Sequence, residues 1–170
     1  TRALITKQPG VVRFLEPGAY RMMYGVARMS KNGTGISGDN YTYSGSLPGQ
    51  VIMSLSDGMG SGAAADQESR KVIELLQQLL ETGFSARSAL KMVNTILMLT
   101  GTEQHPATLD LCCVDLCSGV LEAMKMGAVA TFVLSNGQAE ILDAGNLQVG
   151  SPRQSRRFCH ASSGIMTRSL

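Results

Sequence analysis

The chain has 170 residues, 44% hydrophobic and 16% charged. That is the size of one domain, with enough apolar side chains to build a core. The balance excludes a disordered chain, which needs low hydrophobicity and high net charge. No apolar run approaches the roughly 18 residues of a membrane helix. The net charge of +2 sums two unlike parts. Residues 1–150 carry eleven Lys and Arg against all thirteen Asp and Glu, a net of −2, and residues 151–170 carry four Arg and no acid, a net of +4. A basic tail without Trp reads as a solvated end rather than a nucleic-acid surface. The start, Thr1-Arg2-Ala3-Leu4, has no apolar signal core and reads as a cut from a longer chain.

Residues 1–19 read as a linker. Tyr20 to Met29 alternates well enough for a strand, and 31–38 is a loop of Gly, Asn, Thr and Ser. A strand at Asp39–Ser44, a turn at Leu47-Pro48-Gly49 and an apolar strand at Val51–Ser56 read as an antiparallel hairpin. If the turn centres near Pro48, cross-strand partners have numbers summing to about 96, so Asp39 faces Asp57. Directly opposite residues have Cβ atoms about 4.5–5.5 Å apart. Two facing carboxylates repel, and a divalent cation removes that penalty.

Gly58-Met59-Gly60-Ser61-Gly62 leads into a helical pattern over about 63–82, with Val72, Leu75, Leu76, Leu79 and Leu80 as its apolar stripe. Gly83 is placed to end that helix and Ser85 to cap a second one running to Leu99, striped by Leu90, Val93, Ile96 and Leu97. So short a linker predicts an antiparallel helix pair. Strands follow at Thr108–Leu116 and Val120–Met126, then a hairpin of Thr131–Leu134 and Ala139–Leu142 about Asn136-Gly137. Strands gathered on either side of a helical block predict an α+β fold with antiparallel sheet.

Four cysteines do not make a framework. Cys112, Cys113 and Cys117 lack zinc-site spacing and, with Cys159, read as small apolar residues of a reduced, cytoplasmic protein. The glycine loop also fits G-x-G-x-x-A, the dinucleotide signature. That reading fails because helix follows helix where a second strand is required. Gly60 and Gly62 instead let backbone approach a ligand and expose amides at a helix N-terminus, where anions are stabilised. Beside paired carboxylates, that suits a metal and a phosphate-bearing substrate. Two carboxylates acting as acid and base in a glycosidase leave the glycine loop unexplained. His105, beside Pro106, reads as a loop residue.

The motifs Ile36-Ser37-Gly38-Asp39-Asn40-Tyr41, Ser56-Asp57-Gly58-Met59-Gly60-Ser61-Gly62 with Glu68-Ser69, and Thr108-Leu109-Asp110-Leu111 together resemble the catalytic domain of the stage II sporulation protein E family. These are metal-dependent serine/threonine phosphatases of type 2C. The resemblance covers about 20–150. It implies an antiparallel β-sandwich flanked by helices and a centre of two Mn2+ or Mg2+ ions. Asp57 matches the aspartate bridging both metals, Gly58 the carbonyl ligand and Asp39 the aspartate of the earlier motif. Asp110 reads as a strand or loop-facing hydrogen bonder with at most a minor metal role. The helix pair at about 63–99 matches a regulatory switch.

The resemblance further implies a substrate, a phosphorylated anti-anti-sigma protein, whose dephosphorylation releases a sporulation sigma factor. It implies no nucleic acid and no membrane contact by this stretch, a parent anchored to the membrane upstream, and a homodimer as a further expectation. The family continues past residue 150 with a Ser-Asp-Gly motif and a final aspartate. Here Gln148 stands in place of a proline, Gly127–Ala130 lacks another, and 151–170 matches no family strand. The chain is therefore expected to be C-terminally incomplete and weakly active or inactive, with its tail native or a frameshift product. A non-catalytic module that binds a sigma-regulatory partner through the two helices is the alternative.

Overall fold

The computed structural model describes residues 2–5, 12–15, 18–30, 35–45, 48–100, 107–135, 137–142, 153–159 and 163–167. A five-stranded sheet runs in the order β3-β4-β5-β6-β9, formed by Asp39–Ser44, Gln50–Asp57, Leu109–Asp115, Val120–Met126 and Arg153–Cys159. A second sheet joins β10 (Ser163–Thr167), β7 (Thr131–Ser135) and β8 (Gln138–Leu142) in that order, and β1 (Arg2–Ile5) pairs β2 (Val12–Leu15) apart from both. Every strand pair is antiparallel.

Two helices lie between β4 and β5 in the chain: α1, Ala63–Glu81, and α2, Ala86–Leu99. Gly83, at φ 93°, ends the first in a conformation costly for any residue with a Cβ, and the Ser85 side chain accepts from Ser88 N–H to cap the second. Val72, Leu76, Leu80, Leu90 and Val93 of the helices pack on Ile52, Leu109, Leu111 and Met124 of the large sheet. Each such side chain contributes about 1.5–3 kcal/mol when fully buried. The opposite face packs Cys112, Leu121 and Ala123 against Val133 and Leu142 of the second sheet. The result is the expected sandwich, with the helix pair over one face.

Three expectations change. The stretch 1–19, read as a linker, contributes the β1–β2 strand pair. Residues 20–29 join no sheet. The segment is tied down at Tyr20, whose N–H donates to Leu116 O at 2.9 Å, and at Arg28, while Met23 between them and Met29 just beyond are 95% and 86% exposed. Alternation alone makes no strand where no partner strand completes the ladder. Conversely, the tail read as solvated supplies two strands, β9 beside β6 and β10 beside β7. An open edge of unpaired backbone groups accepts such a strand whatever its charge. Asn136, His105 with Pro106, and Gln148 fall outside the described residues.

Candidate metal centre

The β3–β4 register pairs Asp39 with Asp57, Asn40 with Ser56, and so on down to Ser44 with Ile52. The two carboxylates therefore stand side by side at the end of the ladder, on the face toward the second sheet. Asp57 is held in line on both sides by Thr108: its N–H donates to Thr108 Oγ1 at 3.1 Å, and its carbonyl accepts from Thr108 N–H at 2.9 Å. Ser56 Oγ donates to Thr108 O at 2.7 Å. Ser37 Oγ donates to Asp39 Oδ2 at 2.9 Å. Burial, the charge of Asp39 and a hydrogen bond to it push the Asp57 carboxyl up to about 6. Two like charges this close cannot both ionise at no cost, so Asp57 keeps its proton to about pH 6 and a cation would favour its release.

Helix α1 is pressed onto this pair. A Cβ on Gly58 would lie 2.0 Å from the Ala65 carbonyl oxygen, and one on Gly38 would lie 3.0 Å from the Ala65 Cβ. Only glycine fits at Gly58. Its N–H donates to Gly38 O at 3.0 Å, joining the two loops that carry the carboxylates. Asn40, next to Asp39, donates from Nδ2 to Asp66 O and Oδ1, both at 3.0 Å, and to Ser69 Oγ at 2.8 Å. Ser69 Oγ in turn reaches Gly38 O. Asp66 also pairs with Arg70 at 2.8 Å and Arg28 at 3.3 Å. Asn40 first and Arg70 next hold its carboxyl below the ordinary range.

In the sequence Asn40 and Ser69 stand only as members of the quoted motifs, with no role of their own, and Asp66 is outside them. Asp66 carries a faint signal, an acid in the first turn of a helix, but its partners come from another element.

Gly60 and Gly62 lie in the exposed loop before α1, at φ 102° and 81°, and α1 has no side chain capping its start. Asp110 is not beside the carboxylate pair in the ladder. It faces Leu55 on β4 and Lys125 on β6. Cys112 and Cys113 are buried thiols whose ionisation burial pushes up, and with the exposed Cys117 they are free. Among the described residues no group of three or more His, Cys, Asp or Glu is placed to hold a metal. What is present is two carboxylates and the Gly58 backbone, oxygen donors suited to Mg2+ or Mn2+ rather than to softer ions. The orphan negative charge fits a cation.

The family model "Stage II sporulation protein E (SpoIIE)" matches residues 48–158, which reaches eight residues beyond 150. Stage II sporulation protein E of Bacillus subtilis (strain 168) is 35% identical over 139 residues, 82% of this chain, and the chain spans 17% of its length. The solved PP2C phosphatase domain with a fragment of the regulatory domain of SpoIIE from Bacillus subtilis is 32% identical. It superposes with a TM-score of 0.72 over 91% of this chain and 44% of its own. RsbX in complex with magnesium, 18% identical, has a TM-score of 0.58 over 83% of this chain and 65% of its own, and shares the fold. With its sandwich, its helix pair and its Asp39–Asp57 pair, this chain belongs to the stage II sporulation protein E family.

Proposed function

We propose that the chain forms part of a metal-dependent serine/threonine protein phosphatase domain that removes phosphate from a phosphorylated anti-anti-sigma protein in the control of a sporulation sigma factor. The observation that carries it is the Asp39–Asp57 register pair, locked beneath α1 by a glycine that tolerates no side chain. Asp39, Asp57 and the Gly58 carbonyl would hold the ion, Mn2+ or Mg2+, with a second ion in a site completed by further ligands. Bound metal supplies Lewis-acid charge and an activated water for attack on phosphorus.

The protein's own residues do the rest. Ser37 and Thr108 orient the two aspartates. The Gly60 and Gly62 loop leaves the first amides of α1 open to a phosphate oxygen. The Asn40–Asp66–Ser69 contacts transmit the position of α1 to the Gly38-Asp39 backbone, which suits the helix pair as a switch. Asp110 is a neighbour of the centre rather than a first ligand. No helix among the described residues is long and apolar enough to cross a membrane. We place the active domain in the cytoplasm or at its membrane face, with a homodimer and an upstream anchor as parts of the same reading.

The test is Mn2+-dependent hydrolysis of a phosphoserine peptide by the longer parent protein and its Asp57→Asn variant. Activity is expected in the parent and its near-complete loss in the variant. An equal rate in both sinks the assignment.

A further inference from the structure

The buried cluster at Asp110 contains one atom with nothing to bind. Asp110 is 4% and Lys125 5% exposed, in the interior between the sheets. Lys125 Nζ donates to Asp110 Oδ2 at 2.6 Å, to Val129 O at 2.7 Å and to Thr131 Oγ1 at 2.5 Å. Those three bonds use all three of its donors. Thr131 has one hydroxyl proton, and it goes to the same Oδ2 at 2.6 Å. Asp110 Oδ1 is buried with no partner among the described residues, and no donor in its own cluster is left to serve it. A buried, unpaired carboxylate oxygen is rare in folded proteins and calls for a water or an ion.

The strand register places the facing carboxylates near that atom's residue. Asp110 is opposite Leu55, so it shares a sheet face with Asp57, two residues along β4, and with Asp39 opposite Asp57. Diagonal neighbours of this kind are about 7–8 Å apart at Cα, the span of one intervening water. Leu55 and Cys112, which flank Asp110 on that face, offer it no strong donor.

We propose that Asp110, clamped by Lys125 and Thr131, is a positioning residue of the metal centre: its free oxygen accepts a hydrogen bond from a water that a cation held by Asp39 and Asp57 brings to the interior face. The inference rests on the metal reading of those two aspartates. It gives the Lys125 clamp a purpose beyond neutralising a charge. Both of the clamp's contacts converge on Oδ2, which leaves Oδ1 turned to a fixed place and available as an acceptor. Outer partners of this kind set metal affinity without touching the metal.

The experiment is Mn2+ binding to the 170-residue chain, read from the free-ion signal in electron paramagnetic resonance, with thermal unfolding of each metal-free variant alongside. Asp110→Asn keeps the shape, but with its amide oxygen drawn to Lys125 it presents an N–H where an acceptor is needed. It is expected to weaken Mn2+ binding about tenfold to hundredfold. Because that change leaves Lys125 less well compensated, Asp110→Leu/Lys125→Met removes both charges together. It is expected to stay folded and to lose the same affinity. If Asp57→Asn abolishes binding while both Asp110 variants bind as tightly as the unaltered chain, the inference is overturned and the metal reading stands. If the unaltered chain binds no Mn2+, or Asp57→Asn binds equally well, the metal reading falls and the inference with it.

Discussion

Two cross-strand pairs, each with an aspartate, stand on one face of one sheet, and their charge is resolved in opposite ways. Asp110 faces Lys125 across β5 and β6, and the chain supplies the compensating cation itself. Asp39 faces Asp57 across β3 and β4, and nothing cationic among the described residues neutralises them. Both placements arise from the same rule, that antiparallel register sets side chains of one face in contact. A pair that contains its own counter-ion adds cohesion to the interior. A pair that lacks one stores a repulsion that a ligand can release, which is what a binding site for a cation requires.

The contrast breaks most visibly at Lys125. Lys125→Met leaves the Asp110 carboxylate buried and uncompensated and is expected to cost about 3–5 kcal/mol of stability, read from urea midpoints. The double variant Asp110→Leu/Lys125→Met should return most of that loss. If the single variant is as stable as the unaltered chain, the cluster is not the buried ion pair described.

A smaller effect is expected on the other side of the comparison. Gly58→Ala places a methyl 2.0 Å from the Ala65 carbonyl oxygen. The loop or the start of α1 must then shift, at about 1–3 kcal/mol, and Mn2+ affinity should fall with it. A Gly58→Ala chain with unchanged stability and metal binding would show that α1 does not press on the centre.

The smallest effect sharpens the electrostatics. In the metal-free folded chain Asp57 keeps its proton to about pH 6, against 3.8 as the ordinary value. Between those two values the folded state binds more protons than the unfolded. Its contribution to stability is therefore complete below about 3.8 and is lost as pH rises to about 6. Asp66, held below 3.8 by Asn40 and Arg70, acts in the opposite sense, but only as pH falls beneath that value. Stability of the metal-free chain should therefore decline from pH 4 to 6, and Asp57→Asn should flatten that decline. A slope that survives the substitution assigns the titration elsewhere.

The sequence was legible where short loops tie neighbouring elements together. The turn at Pro48 dictated the sum of 96, and with it the Asp39–Asp57 pair. Gly83 and Ser85 marked the break between the helices. The observed β5–β6 register pairs Asp110 with Lys125, whose numbers sum to 235, as Leu109 and Met126 do. It is centred between Cys117 and Ser118, so the same arithmetic about the Ser118-Gly119 dipeptide, which gives 237, misses the pair by two residues. That pair went unread because an isolated Asp in a strand suggests only a polar position. Tyr20–Met29 misled because alternation describes one strand and says nothing of a partner. The Asn40–Asp66–Ser69 contacts were invisible because they join residues 26 and 29 positions apart, where no local pattern operates.

By itself, then, the sequence determined the two helices, the strands from Asp39 to Leu142 and the facing aspartates of the Pro48 hairpin, since each depends on a turn of a few residues and on the period of its element. Tertiary structure decided what those elements touch. It laid α1 on Gly38 and Gly58, set β9 and β10 on open sheet edges despite the basic charge of residues 151–170, and enclosed Asp110 with Lys125 and Thr131. The physical reason is that burial and electrostatic pairing are properties of three-dimensional neighbours. The charge that opened as +2 over the whole chain matters less than where two acids lack a cation and one acid has found it.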